Sequence, residues 1–225
     1  PETLSRCLSS WRHYYEFNNI FGFKPRFKIK KGNLIKISNP IKDVNSFSNI
    51  GSIISKLQID EFFFKKRFMK YCLSFPYSFS FIKNFNYNFH LFLNSFLYLF
   101  GINKNKFFDF IISRNCLLND SLYNNKEYKK LIRKMIKEFY NIAKKRRHKI
   151  KFIIFPQKYD LISKNYNCET FFNKILKKGD LLNLKEKINF KNYEMMYLES
   201  QFGAHLNYNG NKKVSELLIE KLNAN

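Results

Sequence analysis

Clustered cysteines are missing from this chain of 225 residues. Its four cysteines, Cys7, Cys72, Cys116 and Cys168, stand far apart, with no Cys-x-x-Cys pair and no neighbouring histidine. Because a structural zinc site takes clustered Cys and His ligands, this spacing predicts no metal site. Scattered thiols favour a reducing, cytoplasmic compartment, and two disulfide bridges are the alternative.

A long apolar run is missing as well. The most apolar stretch, residues 89–100, also contains a His and an Asn. A membrane-spanning helix needs about 20 apolar residues, so this stretch is too short to cross a bilayer. We expect a buried helix here, and contact with a membrane surface is the alternative, given the basic surroundings. No signal-peptide pattern follows Pro1, and the start at Pro-Glu-Thr-Leu leads us to expect that an N-terminal part is missing.

Acidic residues are scarce: 17 Asp and Glu stand against 41 Lys and Arg, which gives a net charge of +24. Such a charge ordinarily indicates nucleic acid or an anionic surface as a partner, and the 27 Phe and 14 Tyr residues could stack on bases. The lysines, however, are spread along the whole chain, and the Phe, Lys, Asn, Ile and Tyr bias is typical of A/T-rich codons. We interpret the densest basic run, residues 144–149, as a solvated helix end, with an anion site as the alternative. Nucleic acid is therefore disfavoured.

The N-terminal half has one clear pattern and several weaker ones. Leu4, Leu8, Trp11 and Tyr15 recur at helical spacing, which predicts a first helix to about Phe17. Apolar residues on both sides of Gly32-Asn33 predict a β-hairpin over residues 23–37. Residues 46–125 predict helices and loops packed on a sheet, among them a short amphipathic helix over residues 50–57.

The C-terminal half alternates helices and strands. Apolar residues on one face predict a helix over residues 126–147, and a β-branched and aromatic strand follows at 150–155. A helix at 168–177, a strand at 181–184 and a last helix at 212–223 complete the series. A helix followed by a buried strand is typical of a parallel sheet in an α/β fold.

The loop before the last helix carries the chemistry. In Gly-Ala-His-Leu-Asn-Tyr-Asn-Gly-Asn (203–211), Asn207 and Asn209 are helix-capping types, and Gly210 permits a close turn. Capping would hold His205 in a fixed position, which a general base needs, because proton transfer works only within hydrogen-bond reach. Imidazole titrates near neutrality and suits this role. The alternative is a partly buried His bonded to backbone.

His205-Leu206-Asn207-x-x-Gly210-Asn211, followed by an amphipathic helix, resembles the C-terminal block of the SGNH/GDSL-type hydrolases. Lys24-Pro25-Arg26-Phe27, the following turn and Asn39-Pro40-Ile41 resemble a hairpin insertion in SGNH-like proteins associated with bacterial surface-polysaccharide genes. The resemblance implies one three-layer α/β/α, flavodoxin-like domain over residues 1–225, incomplete at its N-terminus. The hairpin and a helical insertion would occupy residues 23–125.

Two departures from the family pattern stand out. The family's Gly-Asp-Ser nucleophile block belongs near the N-terminus, and this sequence has none; Gly179-Asp180 is followed by Leu181. The family's catalytic acid lies three residues before the His, where Phe202 stands. Either a Ser–His dyad suffices, with a backbone carbonyl to orient the imidazole, or Glu199 replaces the acid; the alternative for Glu199 is a solvated loop residue. This chain alone is therefore expected to be inactive.

The resemblance implies a serine esterase or acyl-transfer enzyme acting on an O-acyl ester, such as an acetylated carbohydrate, with His205 as base and no metal or cofactor. A basic binding module for nucleic acid or an anionic surface is one alternative. A catalytically degenerate SGNH scaffold is the other, because Phe202 cannot orient an imidazole. The sequence leaves the oligomeric state open.

Overall fold

The computed structural model describes residues 2–14, 20–69, 72–102, 104–162, 166–177, 179–186, 190–199 and 205–223. The chain divides into two compact units: unit 1 is Pro1–Leu93 with Asn125–Lys137, and unit 2 is Asn94–Asn124 with Glu138–Asn225. Most described residues are helical, and the strands form two-stranded sheets. Helices and strands therefore occur together in this chain. No described helix is both long and apolar enough to cross a membrane.

Unit 1 begins with a helix that is shorter than its sequence pattern indicates. Helix α1, Glu2–Leu8, is followed by strand β1, Trp11–Tyr14, which pairs antiparallel with β2, Ile20–Phe23. The prediction of a helix through Trp11 is therefore wrong, while Tyr15 and Phe17 lie outside the described residues. The Trp11 ring is buried, with ring centroids 5.2–6.0 Å away in Phe63, Phe64 and Phe68. This packing overrides the weak helical preference of the segment.

A buried carboxylate joins distant parts of unit 1. Glu61 is 0 % exposed, and its Oε1 accepts hydrogen bonds from the backbone N–H groups of Ser10 (2.8 Å) and Trp11 (3.4 Å). Its Oε2 accepts one from the Phe64 N–H at 2.7 Å. Burial raises the pKa of this carboxyl, and the three N–H groups and Arg26 oppose that rise. One side chain thus holds the start of β1 against the helical residues that begin just after Glu61.

The predicted hairpin is confirmed, with its turn one residue earlier than expected. Strands β3, Arg26–Lys30, and β4, Asn33–Ile37, pair antiparallel around Lys31 (φ 47°) and Gly32 (φ 81°). Two central residues with positive φ fit the right-handed strand twist. Arg26 and Lys28 on β3 bind the Asp60 carboxylate at 3.3 and 2.8 Å. Asp60 ends helix α2, Ile50–Asp60, which confirms the predicted short helix.

The middle of the chain is helical, but its most apolar helix is not a buried one. After a π-helical turn, Phe64–Phe68, come helix α3, Tyr77–Lys83, and helix α4, Phe85–Leu99. Tyr87 and Asn88 are the buried residues of α4, whereas the phenylalanines at positions 85, 89, 92 and 96 are exposed. The expectation of a buried helix over residues 89–100 is therefore wrong. The apolar side chains face outward, because the side of α4 that packs inward carries Tyr87 and Asn88.

Unit 2 contains the parallel pairing that the sequence predicts. It holds helix α5, Lys104–Ser121, strand β5, Phe152–Ile154, and strand β6, Leu181–Asn183, which pairs parallel to β5. The connection between the strands contains helices α7, Lys158–Ile162, and α8, Asn167–Ile175. Parallel strands need such a crossover connection. Within the described residues this sheet has two strands. The mixture of helices with parallel strands is therefore as predicted, and the three-layer arrangement remains a prediction.

Helix α6, Lys126–Arg146, confirms the clearest prediction from periodicity. Leu131, Ile132 and Ile136 are buried in unit 1, while Phe139 and Ile142, farther along, are exposed. The basic residues 144–149 are all exposed at or just beyond the end of this helix. The run therefore lies in solvent at a helix end, as expected, and the anion site stays a prediction.

The last helix packs on the parallel strands. Helix α9, Tyr208–Asn223, begins four residues earlier than the predicted start at Lys212, and its Val214 is buried. Val214 belongs to a core cluster in unit 2 that also contains Leu161, Leu182, Leu184 and Tyr197. Leu217 and Leu218 pack against this cluster. The amphipathic pattern of the segment therefore identified its buried face correctly.

Candidate active site

The loop that carries His205 is held by backbone pairing. Tyr197 and Leu206 form an antiparallel bridge, and the Leu198 N–H donates to the His205 carbonyl oxygen at 2.7 Å. Two residues after His205, the Asn207 N–H donates to the Met196 carbonyl at 2.9 Å. The His205 side chain is exposed. The imidazole is thus accessible on a backbone held by hydrogen bonds. The alternative of a partly buried His205 is wrong.

Asn207 holds this loop in two ways. Its side-chain Oδ1 accepts a hydrogen bond from the Gly210 N–H at 3.0 Å, and its carbonyl accepts the Asn211 N–H at 2.9 Å. These two bonds make Asn207 the N-cap of α9. Its side-chain Nδ2 donates to the carbonyls of Met195 at 2.8 Å and Tyr197 at 3.4 Å. The amide therefore ties the helix start to the chain segment that pairs with the His205 loop.

Gly210 lies where a Cβ atom would collide with the backbone unless the structure shifts. It is buried in the first turn of α9, and a Cβ at this position would lie 2.3 Å from the Met196 carbonyl oxygen and 2.9 Å from the Leu206 side chain. The Asn-x-x-Gly spacing thus has a physical cause: Asn207 caps the helix, and Gly210 lets the capped turn approach Met196. Asn209 is exposed within the same turn and is not the cap, which corrects the pairing of Asn207 with Asn209 as capping residues.

The loop is anchored beside the carboxyl end of β5. The Tyr197 hydroxyl donates to the Pro156 carbonyl at 2.8 Å, and Pro156 lies two residues beyond the end of β5. Burial raises the pKa of Tyr197, so its hydroxyl stays protonated and keeps this bond. Ligands of open α/β sheets bind outside the carboxyl ends of the strands. His205 is therefore connected to the edge of the sheet where such sites occur.

A buried polar group at the same edge was not predicted from the sequence. Asp160, in α7, is 2 % exposed, and its Oδ2 accepts hydrogen bonds from the Gln157 N–H and the Tyr166 hydroxyl, both at 2.9 Å. The Cys116 thiol donates to Gln157 Oε1. Burial raises the pKa of both Asp160 and Tyr166. In the sequence, the one feature that could have indicated this cluster is that Gln157 and Asp160 follow directly after a predicted strand.

Polar side chains also meet at the carboxyl end of β6. The Asn183 amide donates to Glu169 Oε1 at 2.6 Å, and Lys185 Nζ lies 3.8 Å from Glu169 Oε2. The same ammonium lies 4.7 Å from the centroid of the Tyr166 ring. The Glu169 carboxylate is therefore paired with both Asn183 and Lys185.

The partner acid of His205 is the least defined part of the site. Phe202 lies outside the described residues. Glu199 is exposed and follows Leu198, the residue that bonds to the His205 carbonyl. Its assignment as the acid remains a prediction. The four cysteines are free thiols, and no group of three or more metal-ligating side chains occurs within the described part of the chain.

Comparison of the chain with protein-family models, with curated proteins and with solved structures finds no match.

Proposed function

We propose that this chain carries the general-base part of an ester hydrolase or acyl-transfer enzyme of the SGNH/GDSL type, with His205 as the base. The observation that supports the proposal is the fixed and accessible position of His205, two residues before Asn207, whose side chain both caps α9 and ties it to residues 195–197. A cap alone would not need the second set of bonds. Together they restrict the backbone on which the imidazole stands.

In this proposal His205 moves one proton in two steps. As a nucleophilic hydroxyl attacks the ester carbonyl carbon, imidazole takes the hydroxyl proton, and it then gives that proton to the departing alkoxide oxygen. The acyl group remains on the nucleophile until water or an acceptor alcohol attacks it, again with His205 as base. The substrate class is an O-acyl ester such as an acetylated carbohydrate, and the reaction requires no metal.

The proposal extends to the fold. The parallel pair β5–β6, the helices between the strands and the packing of α9 on the core cluster fit one edge of a three-layer α/β/α sheet. In such a fold the His205 loop and the nucleophile would meet at the carboxyl edge of the sheet. Because residues 1–225 contain no Gly-Asp-Ser sequence, the nucleophile is not assigned to any of them.

The experiment has two stages. The coding sequence upstream of Pro1 is read first, and a Gly-Asp-Ser-like block after a strand pattern is expected there; its absence contradicts the proposal. The protein expressed from its whole reading frame is then assayed with p-nitrophenyl acetate and acetylated sugars. We expect His205→Ala to lower kcat/KM by about 10²–10⁴-fold, the usual contribution of a general base.

His148→Ala is the matched control, because His148 is also exposed in unit 2 but lies beyond the end of α6. It should leave turnover unchanged. Equal activity of wild type and His205→Ala would reject His205 as the base. A wild-type protein that folds but hydrolyses no ester would instead support the catalytically degenerate scaffold. Glu199→Gln tests the acid: a loss of kcat with unchanged KM is expected if Glu199 orients the imidazole.

A further inference from the structure

Helices α3 and α4 present apolar side chains outward in unit 1. Six residues form what we call the apolar face, with exposed fractions from 43 to 84 %: Phe75, Tyr77, Phe79, Ile82, Phe85 and Phe89. Phe79 and Ile82 are three residues apart on α3, and Phe85 and Phe89 are four apart on α4, where their rings stack at 5.4 Å. Residues at these spacings lie on the same side of a helix. Four of the six exposed side chains therefore lie in same-side pairs on the two helices.

The opposite side of α4 explains why this face points outward. Tyr87 and Asn88 are buried, and the Asn88 amide donates to the Phe81 carbonyl at 3.0 Å, which ties α4 to α3. Phe81 and Phe85 are also in edge-to-face contact at 6.0 Å. The two helices are thus fixed to each other through the side that packs inward. An ordinary amphipathic helix of a globular protein buries its apolar side instead.

The segment of unit 1 that carries the apolar face has charge of one sign. Residues 62–93 contain no Asp or Glu and five basic residues: Lys65, Lys66, Arg67, Lys70 and Lys83. Lys65, Lys66 and Lys83 are exposed. A helix with an apolar face, basic flanks and aromatic residues is typical of a helix that lies in the interface of an anionic bilayer.

We propose that the apolar face docks on an anionic lipid bilayer. The charge complementarity decides between the possible occupants. A second copy of the chain would bring its own basic residues to a contact between the two apolar faces, and residues 62–93 offer no acid to pair with them. A single-stranded nucleic acid would use the planar rings and cationic groups but would leave the 68 % exposed aliphatic side chain of Ile82 without a stacking partner. A lipid surface takes both the aliphatic and the aromatic side chains and pairs its phosphates with the lysines.

The first experiment measures co-sedimentation of the chain with vesicles. We expect binding to vesicles of equal parts phosphatidylcholine and phosphatidylglycerol, and little binding to phosphatidylcholine alone. The variant Phe79→Ser/Ile82→Ser/Phe85→Gln should weaken binding about tenfold or more, because it removes apolar side chains that would enter the interface. The matched control Val44→Ser/Ile59→Ser/Ile219→Ser removes exposed apolar side chains elsewhere and should bind like wild type.

A second experiment separates insertion from simple charge attraction. In Phe85→Trp, brominated lipid should quench the new tryptophan, whereas the native Trp11, which is 2 % exposed, should remain unquenched and report that the variant is folded. Equal binding by both triple variants, or an unquenched tryptophan at position 85, would overturn the proposal. A dimer that the first triple variant dissolves would assign the face to a second copy. Competition by single-stranded RNA at the same face would assign it to nucleic acid.

Discussion

Glu61 in unit 1 and Asn207 in unit 2 both link distant segments through side-chain hydrogen bonds, but with different donors and acceptors. Each is one polar side chain that joins a helix end to a distant segment, but Glu61 only accepts hydrogen bonds, and it does so at 0 % exposure. Asn207 accepts one bond and donates two, and it is half-buried. Water can reach the partners of Asn207 and replace a lost hydrogen bond, but it cannot reach the N–H groups that bind Glu61. The stability of unit 1 should therefore depend more on Glu61 than the stability of unit 2 depends on Asn207.

The largest effect is expected from Glu61→Ala. The substitution leaves three N–H groups without their acceptor in the interior, and it should lower the free energy of unfolding by about 3–5 kcal/mol. Urea unfolding of the chain measures it. Asp60→Ala is the control, because the neighbouring Asp60 side chain is 58 % exposed and its ion pairs with Arg26 and Lys28 should contribute about 1 kcal/mol or less. Similar losses in both variants would show that burial does not decide the contribution of Glu61.

Gly210→Ala should have the next largest effect. Its Cβ would lie 2.3 Å from the Met196 carbonyl oxygen, so the first turn of α9 must move, at about 1–3 kcal/mol. Gly51→Ala in α2 provides the control, since a Cβ there meets no atom within 4 Å. It should stabilise the chain by about 0.5–1 kcal/mol through the better helix propensity of Ala. Thermal unfolding of both variants, with opposite shifts in Tm, checks the prediction.

The smallest effect is expected from Asn207→Ala. Loss of the cap and of the two amide donors should lower the free energy of unfolding by about 1–2 kcal/mol, because part of the site is open to water. Asn209→Ala, two residues along in the same turn, should change it by less than about 0.5 kcal/mol. If the two variants lose the same stability, the hydrogen bonds of the Asn207 side chain do not hold the His205 loop in place.

Prediction from sequence succeeded where neighbouring residues decide the structure. Helix α6 has apolar residues on one face over many turns, and the hairpin has a turn sequence that accepts positive φ at Gly32. Strand β5 follows α6 as a short β-branched and aromatic run. In each case the local pattern and the final packing favour the same structure.

Prediction failed where a distant partner decides. Trp11 has helical spacing with Leu4 and Leu8, but Glu61 and the aromatic rings near it hold Trp11 in a strand. The apolar content of residues 89–100 indicates burial, yet the structure turns many of these side chains outward. Composition reports how apolar a helix is, and the tertiary contacts decide which of its sides packs inward.

The candidate site divides in the same way. His205, Asn207 and Gly210 stand within six residues, so the sequence alone identified the loop, its cap type and its need for a close turn. The clamp from Asn207 to residues 195–197, the contact of Gly210 with Met196 and the anchor from Tyr197 to Pro156 depend on segments far apart in the chain. Asp160 and Tyr166 became a buried pair for the same reason.

The sequence by itself determined the order of α6, β5, α8, β6 and α9, the hairpin and the His205 loop, because each depends on residue types at short spacing, whereas helix α7 was not predicted. Only the tertiary structure decided that Glu61 organises unit 1, that α4 faces outward and that the His205 loop is anchored at the end of β5. These outcomes depend on which buried donors and acceptors form hydrogen bonds with each other. The partners are far apart in the sequence, so no local pattern predicts them.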